Sequence, residues 1–220
     1  MQRRTYLRGV AALGVAAGAG CLGNADPNPN VALDEPDRQF ESADVPYPAW
    51  GQQIPDATLP APLDGRDVAL RSVETPQLLT FFYSNCQTVC PALVSALRNV
   101  QTHALNSDYG DQVSFAPITF DPARDDADRL RTYAKTMHVD ADAGDWHFLR
   151  PQSAARAKQV VQEQFGLKFE KQPPKNGTYM FVHAPLILLV NADSYVERAY
   201  RTKSPDTEQM IDDLATVRSA

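Results

Sequence analysis

Phe81-Phe-Tyr-Ser-Asn-Cys-Gln-Thr-Val-Cys-Pro91 decides how this chain is read. It closes an apolar run, Gln77 to Tyr83, whose length and lack of alternation predict a strand buried on both faces. It opens a segment, Pro91 to His103, with Leu93, Leu97 and Val100 at helical spacing and Pro91 tolerated in a first turn. Cys86 and Cys90 stand at the junction with three residues between them. Two soft sulfur atoms then sit at a helix N-terminus, where free backbone N–H groups favour the thiolate. Thiolates so placed either exchange disulfides or hold a soft metal.

The neighbouring segments repeat the same alternation. Leu63-Asp-Gly-Arg-Asp67 is a turn signal between two short extended segments, which predicts an N-terminal hairpin. Val113 to Phe120 reads as a second strand ending at Asp121-Pro122. Ala127 to Met137 and Ser153 to Phe165 read as helices, the latter capped by Ser153. Leu186 to Val190 is a buried strand, followed by a turn at Asn191–Ser194 and a partner strand near Tyr195 to Tyr200. Ser204-Pro205 opens a last helix with Met210, Leu214 and Val217 on one side. Strands alternating with helices predict an α/β fold around a mixed sheet. A Cys pair just after a central strand points to the thioredoxin-like version: a three-layer sandwich with an N-terminal extended hairpin. Pro185, directly before the buried strand, stands where such folds keep a proline beside the cysteines.

The N-terminus reads as an address. Arg3-Arg4 with Leu7-Arg8 resembles a twin-arginine export signal, and the small apolar run Gly9 to Gly20 is too short and Gly/Ala-rich for a good membrane span. Ala19-Gly20-Cys21 resembles a lipoprotein cleavage box, making Cys21 the expected lipidation site; plain cleavage or an uncleaved anchor are the alternatives. The expected organisation is a signal over residues 1–20, a flexible tether over 21–50 and a domain over 51–220, on the outer face of the cell membrane. With Cys21 lipidated, the three cysteines reduce to the single pair Cys86 and Cys90. A bridge between them would close a tiny loop and add little stability, so the pair is read as reactive. Losing residues 1–20 removes Arg3, Arg4 and Arg8 and no acid, leaving 18 basic against 27 acidic residues and a net charge of −9. Phosphate binding needs a basic patch, so nucleic acid is excluded as a partner.

His183 is the third chemical element, two residues before Pro185. In a thioredoxin-like fold its loop abuts the cysteine helix, and two thiolates plus one imidazole make a compact site for Cu(I) or Cu(II). Met180 is read as core filling, Asp121 and Asp125 as a turn and a solvated helix start. His103 is read as solvated, His147 as unpaired, and Trp146 and Phe148 as packing.

Phe82-Tyr83-Ser84-Asn85-Cys86, Cys90-Pro91, Ile118-Thr-Phe-Asp-Pro-Ala-Arg-Asp125 and His183 together resemble the SCO/SenC copper-delivery proteins over roughly residues 55–217. That resemblance implies copper ligation by Cys86, Cys90 and His183, and a role in loading the copper site of cytochrome c oxidase subunit II. It also places the Asp-Pro-x-Arg-Asp signature on Asp121, Pro122, Arg124 and Asp125, in a structural or docking role. Gln87 and Thr88 stand where the family usually has Pro and Asp, and Asn85 where His or Thr is common. The competing expectation is a thiol–disulfide oxidoreductase in which Cys86 attacks and Cys90 resolves. Three intervening residues instead of two, and the presence of His183, weigh against it. A redox or copper sensor is the third reading.

Overall fold

A computed structural model of the chain describes residues 28–174 and 177–220. Among the described residues, nine strands and four α-helices follow in order, with 3-10 turns at Ser42–Asp44 and Leu70–Ser72. They are β1 (Thr58–Ala61), β2 (Arg66–Ala69), β3 (Gln77–Phe82), α1 (Val89–Asn106), β4 (Ser114–Thr119), α2 (Ala127–Thr136) and β5 (Asp145–Trp146). Then come α3 (Ala154–Ala157, continuing as a π-helix through Lys158–Gln164), β6 (Phe169–Lys171), β7 (Phe181–His183), β8 (Ile187–Val190), β9 (Val196–Tyr200) and α4 (Thr207–Arg218). The central sheet has the order β5-β4-β3-β8-β9. β3 pairs parallel to β4 and antiparallel to β8, so the sheet is mixed as expected.

β3 lies in the middle with all six residues buried. Successive side chains of a strand point to opposite faces, and both faces are covered. Phe81 meets Phe165 at the end of α3 at 5.1 Å, while Phe82 stacks on Tyr133 of α2 at 5.2 Å. This is the three-layer, thioredoxin-like sandwich, with the β1–β2 hairpin before it. Ser153 caps α3 by accepting from Arg156 N at 3.1 Å. The last helix starts one cap later than its Ser-Pro signal suggests. Asp206 accepts from the N–H groups of Glu208 and Gln209, and Met210, Leu214 and Val217 are buried.

Part of the segment read as a tether departs from that reading. Val31, Leu33, Tyr47 and Trp50 are buried against the domain. Glu197 of β9, itself fully buried, accepts from the N–H groups of Ala32 and Leu33 at 3.0 Å, and Trp50 Nε1 donates to Leu33 O at 2.8 Å. A buried carboxylate needs donors, and the N-terminal strap supplies them along an otherwise open edge strand. The Asn/Pro-rich composition concealed the few apolar residues that anchor it. Cys21 and the export signal lie outside the described residues. Among the described residues no helix is long and apolar enough to cross a membrane.

Candidate metal centre

The chain leaves β3 at Tyr83, and a buried network fixes it before it reaches the first cysteine. Ser84 N donates to Asp125 Oδ2 at 3.1 Å, and Ser84 Oγ donates to Asp125 Oδ1 while accepting from Arg129 Nε at 2.7 Å. Thr119, the last residue of β4, also donates to Asp125. Cys86 N then closes a turn onto Tyr83 O at 3.1 Å. Cys90 follows in the first turn of α1, fully buried, and Cys86 is 7 % exposed. Both are free thiols.

The two sulfurs are not equivalent. Cys86 Sγ is held at about pKa 3, chiefly because the Cys90 thiol donates to it; burial opposes this, and His183 and Thr88 assist. Burial, followed by the hydrogen bond to Cys86 and then the Cys86 charge, pushes the Cys90 thiol well above its ordinary value. One proton is therefore shared, with the thiolate on the outer sulfur. Beside the helix N-terminus, the neighbouring Cys90 thiol is thus a strong source of thiolate character at Cys86.

His183 ends β7, which pairs with β6 as a two-stranded ribbon with His183 opposite Phe169. Its Nδ1 donates to Ala184 O at 2.9 Å, an atom that only accepts. Nε2 lies 3.1 Å from Cys90 Sγ. Phe120 packs edge-on against the ring at 5.0 Å. Tyr83 holds the strand by accepting from Phe181 N at 3.2 Å. The two Sγ atoms and the imidazole nitrogen lie within 4.8 Å of one another. Metal bonds of about 2.0–2.3 Å to nitrogen and sulfur place two ligands of one ion at most about 4.6 Å apart. Small side-chain adjustments suffice to put all three donors on one ion.

The sequence model of the SCO1/SenC family matches residues 64–219. The chain belongs to the SCO1/SenC family. No curated protein matches the sequence. Among solved structures, copper-bound ScoI of Bradyrhizobium japonicum is similar at 24 % identity and TM-score 0.59, covering 73 % of this chain and 96 % of that one. A SCO1/SenC lipoprotein of Bacillus anthracis matches at 20 % identity, TM-score 0.61, over 77 % and 95 %. Yeast Sco1 matches at 21 % identity, TM-score 0.60, over 76 % and 99 %. At these identities the likeness is one of fold.

The other sequence candidates of this SCO1/SenC chain fall in different places. Asp121 does open a turn, accepting from Arg124 N and Asp125 N, but Asp125 is not a solvated helix start: it is wholly enclosed, its carboxyl raised by that burial against the pull of its Ser84 and Thr119 donors. Met180 is partly buried at the site wall, its sulfur 3.8 Å from Asn85 Nδ2. His103 is exposed but pairs with Tyr109 Oη at 2.6 Å. His147 is far from unpaired. Asp64 and Asp145 flank its two ring nitrogens at 2.7 and 2.6 Å, with Arg66 beside them. Trp146 and Phe148 are packing residues, stacked among Phe115, Phe82 and Tyr133. The packing of Phe120 against His183 and the ties of Tyr179 to Asp121 and Arg124 were not foreseen. The one signal near the site is the aromatic spacing Tyr179, Phe181 beside His183.

Proposed function

We propose that the chain is an extracytoplasmic copper chaperone that takes one copper ion as cargo through Cys86, Cys90 and His183. The observation that carries this reading is the convergence of two cysteine sulfurs and one histidine ring in a SCO1/SenC domain. Thiolates suit Cu(I), and the added imidazole admits Cu(II), so one ligand set serves both oxidation states. The copper held by the Bradyrhizobium relative supports the choice of metal. The client is the copper site of cytochrome c oxidase subunit II, as the family resemblance implies. Residues 1–20 serve as the export signal, and lipidated Cys21 anchors the protein to the outer face of the membrane. The lipoprotein relative from Bacillus anthracis supports that anchor. The stretch between Cys21 and the strap at Val31 is the tether.

Transfer follows from the protonation pattern. The Cys86 thiolate is the ready donor, and capture of copper by both sulfurs releases the proton held by Cys90.

The decisive experiment is an anaerobic copper titration of the reduced protein against a competing chelator. One tightly held copper per chain, weakened in His183→Ala and abolished in Cys86→Ser, is expected. No specific copper, or binding indifferent to His183, refutes the reading. The asymmetric thiols favour a second activity, disulfide exchange with Cys86 attacking and Cys90 resolving. Insulin reduction or reduction of a client disulfide, lost in Cys86→Ser and retained in His183→Ala, tests it separately.

A further inference from the structure

The turn Asp121–Asp125 touches both halves of the metal centre at once. On one side Asp125 accepts from Ser84 N and Ser84 Oγ, two residues before Cys86. On the other, the turn grips Tyr179, four residues before His183, at three points. Tyr179 Oη donates to Asp121 Oδ1 at 2.8 Å, Arg124 Nη1 donates to Tyr179 O at 2.9 Å, and the Arg124 guanidinium lies 3.7 Å from the Tyr179 ring centre. Lys171 of β6 covers the same ring at 3.5 Å, so the aromatic plane has a cation at each contact. The turn is itself fixed. Arg124 and Asp125 donate their N–H groups to Asp121 O, Arg124 pairs with the Asp121 carboxylate, and Asp121 N donates to Thr119 Oγ1 at the end of β4.

We propose that this turn is a brace that sets the spacing between the thiol pair and the His183 imidazole, with Arg124 and Tyr179 as positioning residues for the third ligand. This inference rests on the copper reading above. Without the Tyr179 grip, the β6–β7 ribbon keeps its aromatic contacts with Phe120 and Tyr83 but loses these polar ties to the turn. The imidazole then spends less time beside Cys90, and apparent copper affinity falls with the fraction of chains in the closed arrangement. Outer partners that orient a metal ligand typically change affinity by about 10–100-fold. The Arg124 side chain is 24 % exposed, so its removal opens no enclosed cavity beneath the sheet.

The test is a mutant cycle on the full chain. Arg124→Ala and Tyr179→Ala are each made in the wild-type and in the His183→Ala backgrounds, and Cu(I) affinity is read by anaerobic competition. An affinity loss of about tenfold is expected in the wild-type background, and none in the His183→Ala background, because the brace acts through His183. Equal losses in both backgrounds, or no loss in either, overturn the proposal. The metal-free protein gives an independent readout: the His183 imidazole NMR signals should move toward those of a solvent-exposed ring in Arg124→Ala. Unchanged signals overturn the brace whatever copper does. Failure of all variants to bind copper refutes the copper reading and leaves this ring signal to decide the brace. Tyr179→Phe, which loses only the bond to Asp121, replaces Tyr179→Ala if the latter does not fold.

Discussion

Cys90 is carried by α1, and Cys86 by the short turn that joins it to β3, two elements whose inward residues are buried between two helical layers. His183 is carried by a three-residue strand paired only with the three residues of β6, and its neighbour Val182 is 63 % exposed, the most exposed large apolar side chain among the described residues. One half of the metal centre thus shares the stability of the whole domain. The other half depends on a few aromatic contacts and the grip on Tyr179. The difference teaches that the two halves need not open together: local opening of a weakly supported element costs far less than global unfolding. On the copper reading proposed above, Cys86 and Cys90 would stay fixed while His183 comes and goes.

The largest expected effect lies under the fixed half. Phe81→Ala removes a side chain with no exposed surface from the strand leading to Cys86, and should lower stability by about 3–5 kcal/mol. A urea unfolding curve measures it. The matching change on the arm, Phe181→Ala, removes a half-buried ring that touches Phe120, Phe169 and Tyr83. Its global cost should be about 1 kcal/mol, while hydrogen exchange at His183 N–H should speed up far more than exchange anywhere in β3. Similar stability losses for the two substitutions, or exchange at His183 as slow as in β3, would break the contrast between the halves.

The fixed half makes a pH prediction of its own. The Cys86 thiol, ordinarily near 9.0, is depressed to about 3 with Cys90 as the main cause. For a group whose folded pKa is lowered, the stabilisation is fully present above the unfolded value and is lost as pH falls through the folded one. The thiolate should therefore persist across the neutral and mildly acidic range. Iodoacetamide trapping of Cys86 in the reduced, metal-free protein should proceed at a nearly constant rate from about pH 8 to about pH 5, where an ordinary thiol slows about tenfold per unit. In Cys90→Ser, whose hydroxyl is a different donor, the profile should move toward ordinary thiol behaviour. A wild-type rate that falls steeply below pH 8 would erase the asymmetry between the sulfurs.

What the sequence disclosed divides along the same line. β3, α1, β4 and β8 are long and apolar enough for periodicity to reveal them, and with them came the sheet, the helix layers and the placement of the two cysteines. β5 has two residues and β6 and β7 three each, too few for any period to register, so the segment that carries His183 reads as a loop in the sequence. Asp121 and Asp125 look like turn residues because a local window sees only their neighbours. Their partners Ser84 and Tyr179 are 41 and 58 residues away. The strap from Val31 to Trp50 was hidden for a similar reason: its buried residues are spaced by the edge of the sheet, not by a helix or strand repeat.

His147 gives the smallest prediction and a control for the contrast between the halves. This histidine is also partly buried and also bonded through both ring nitrogens, yet it has carboxylates where His183 has sulfur and a carbonyl. Burial alone would lower its pKa, but hydrogen bonds to Asp145 and Asp64 outweigh this and raise it above 6.5, while the bond to His147 holds the Asp145 carboxyl below 3.8. A raised histidine contributes fully below its unfolded pKa and loses that contribution as pH rises through its folded one; the depressed carboxylate loses its share as pH falls through its own. The clasp between the hairpin turn at Asp64 and β5 is therefore strongest between these limits and weakens above pH 6.5. His147→Gln should cost about 1 kcal/mol at pH 5.5 and less at pH 8.5, with copper affinity unchanged. A loss of copper binding in that variant would show that the sheet edge, far from the sulfurs in sequence, supports the site as β3 does. The metal centre would then rest on the whole sheet, and the arm alone could not account for release.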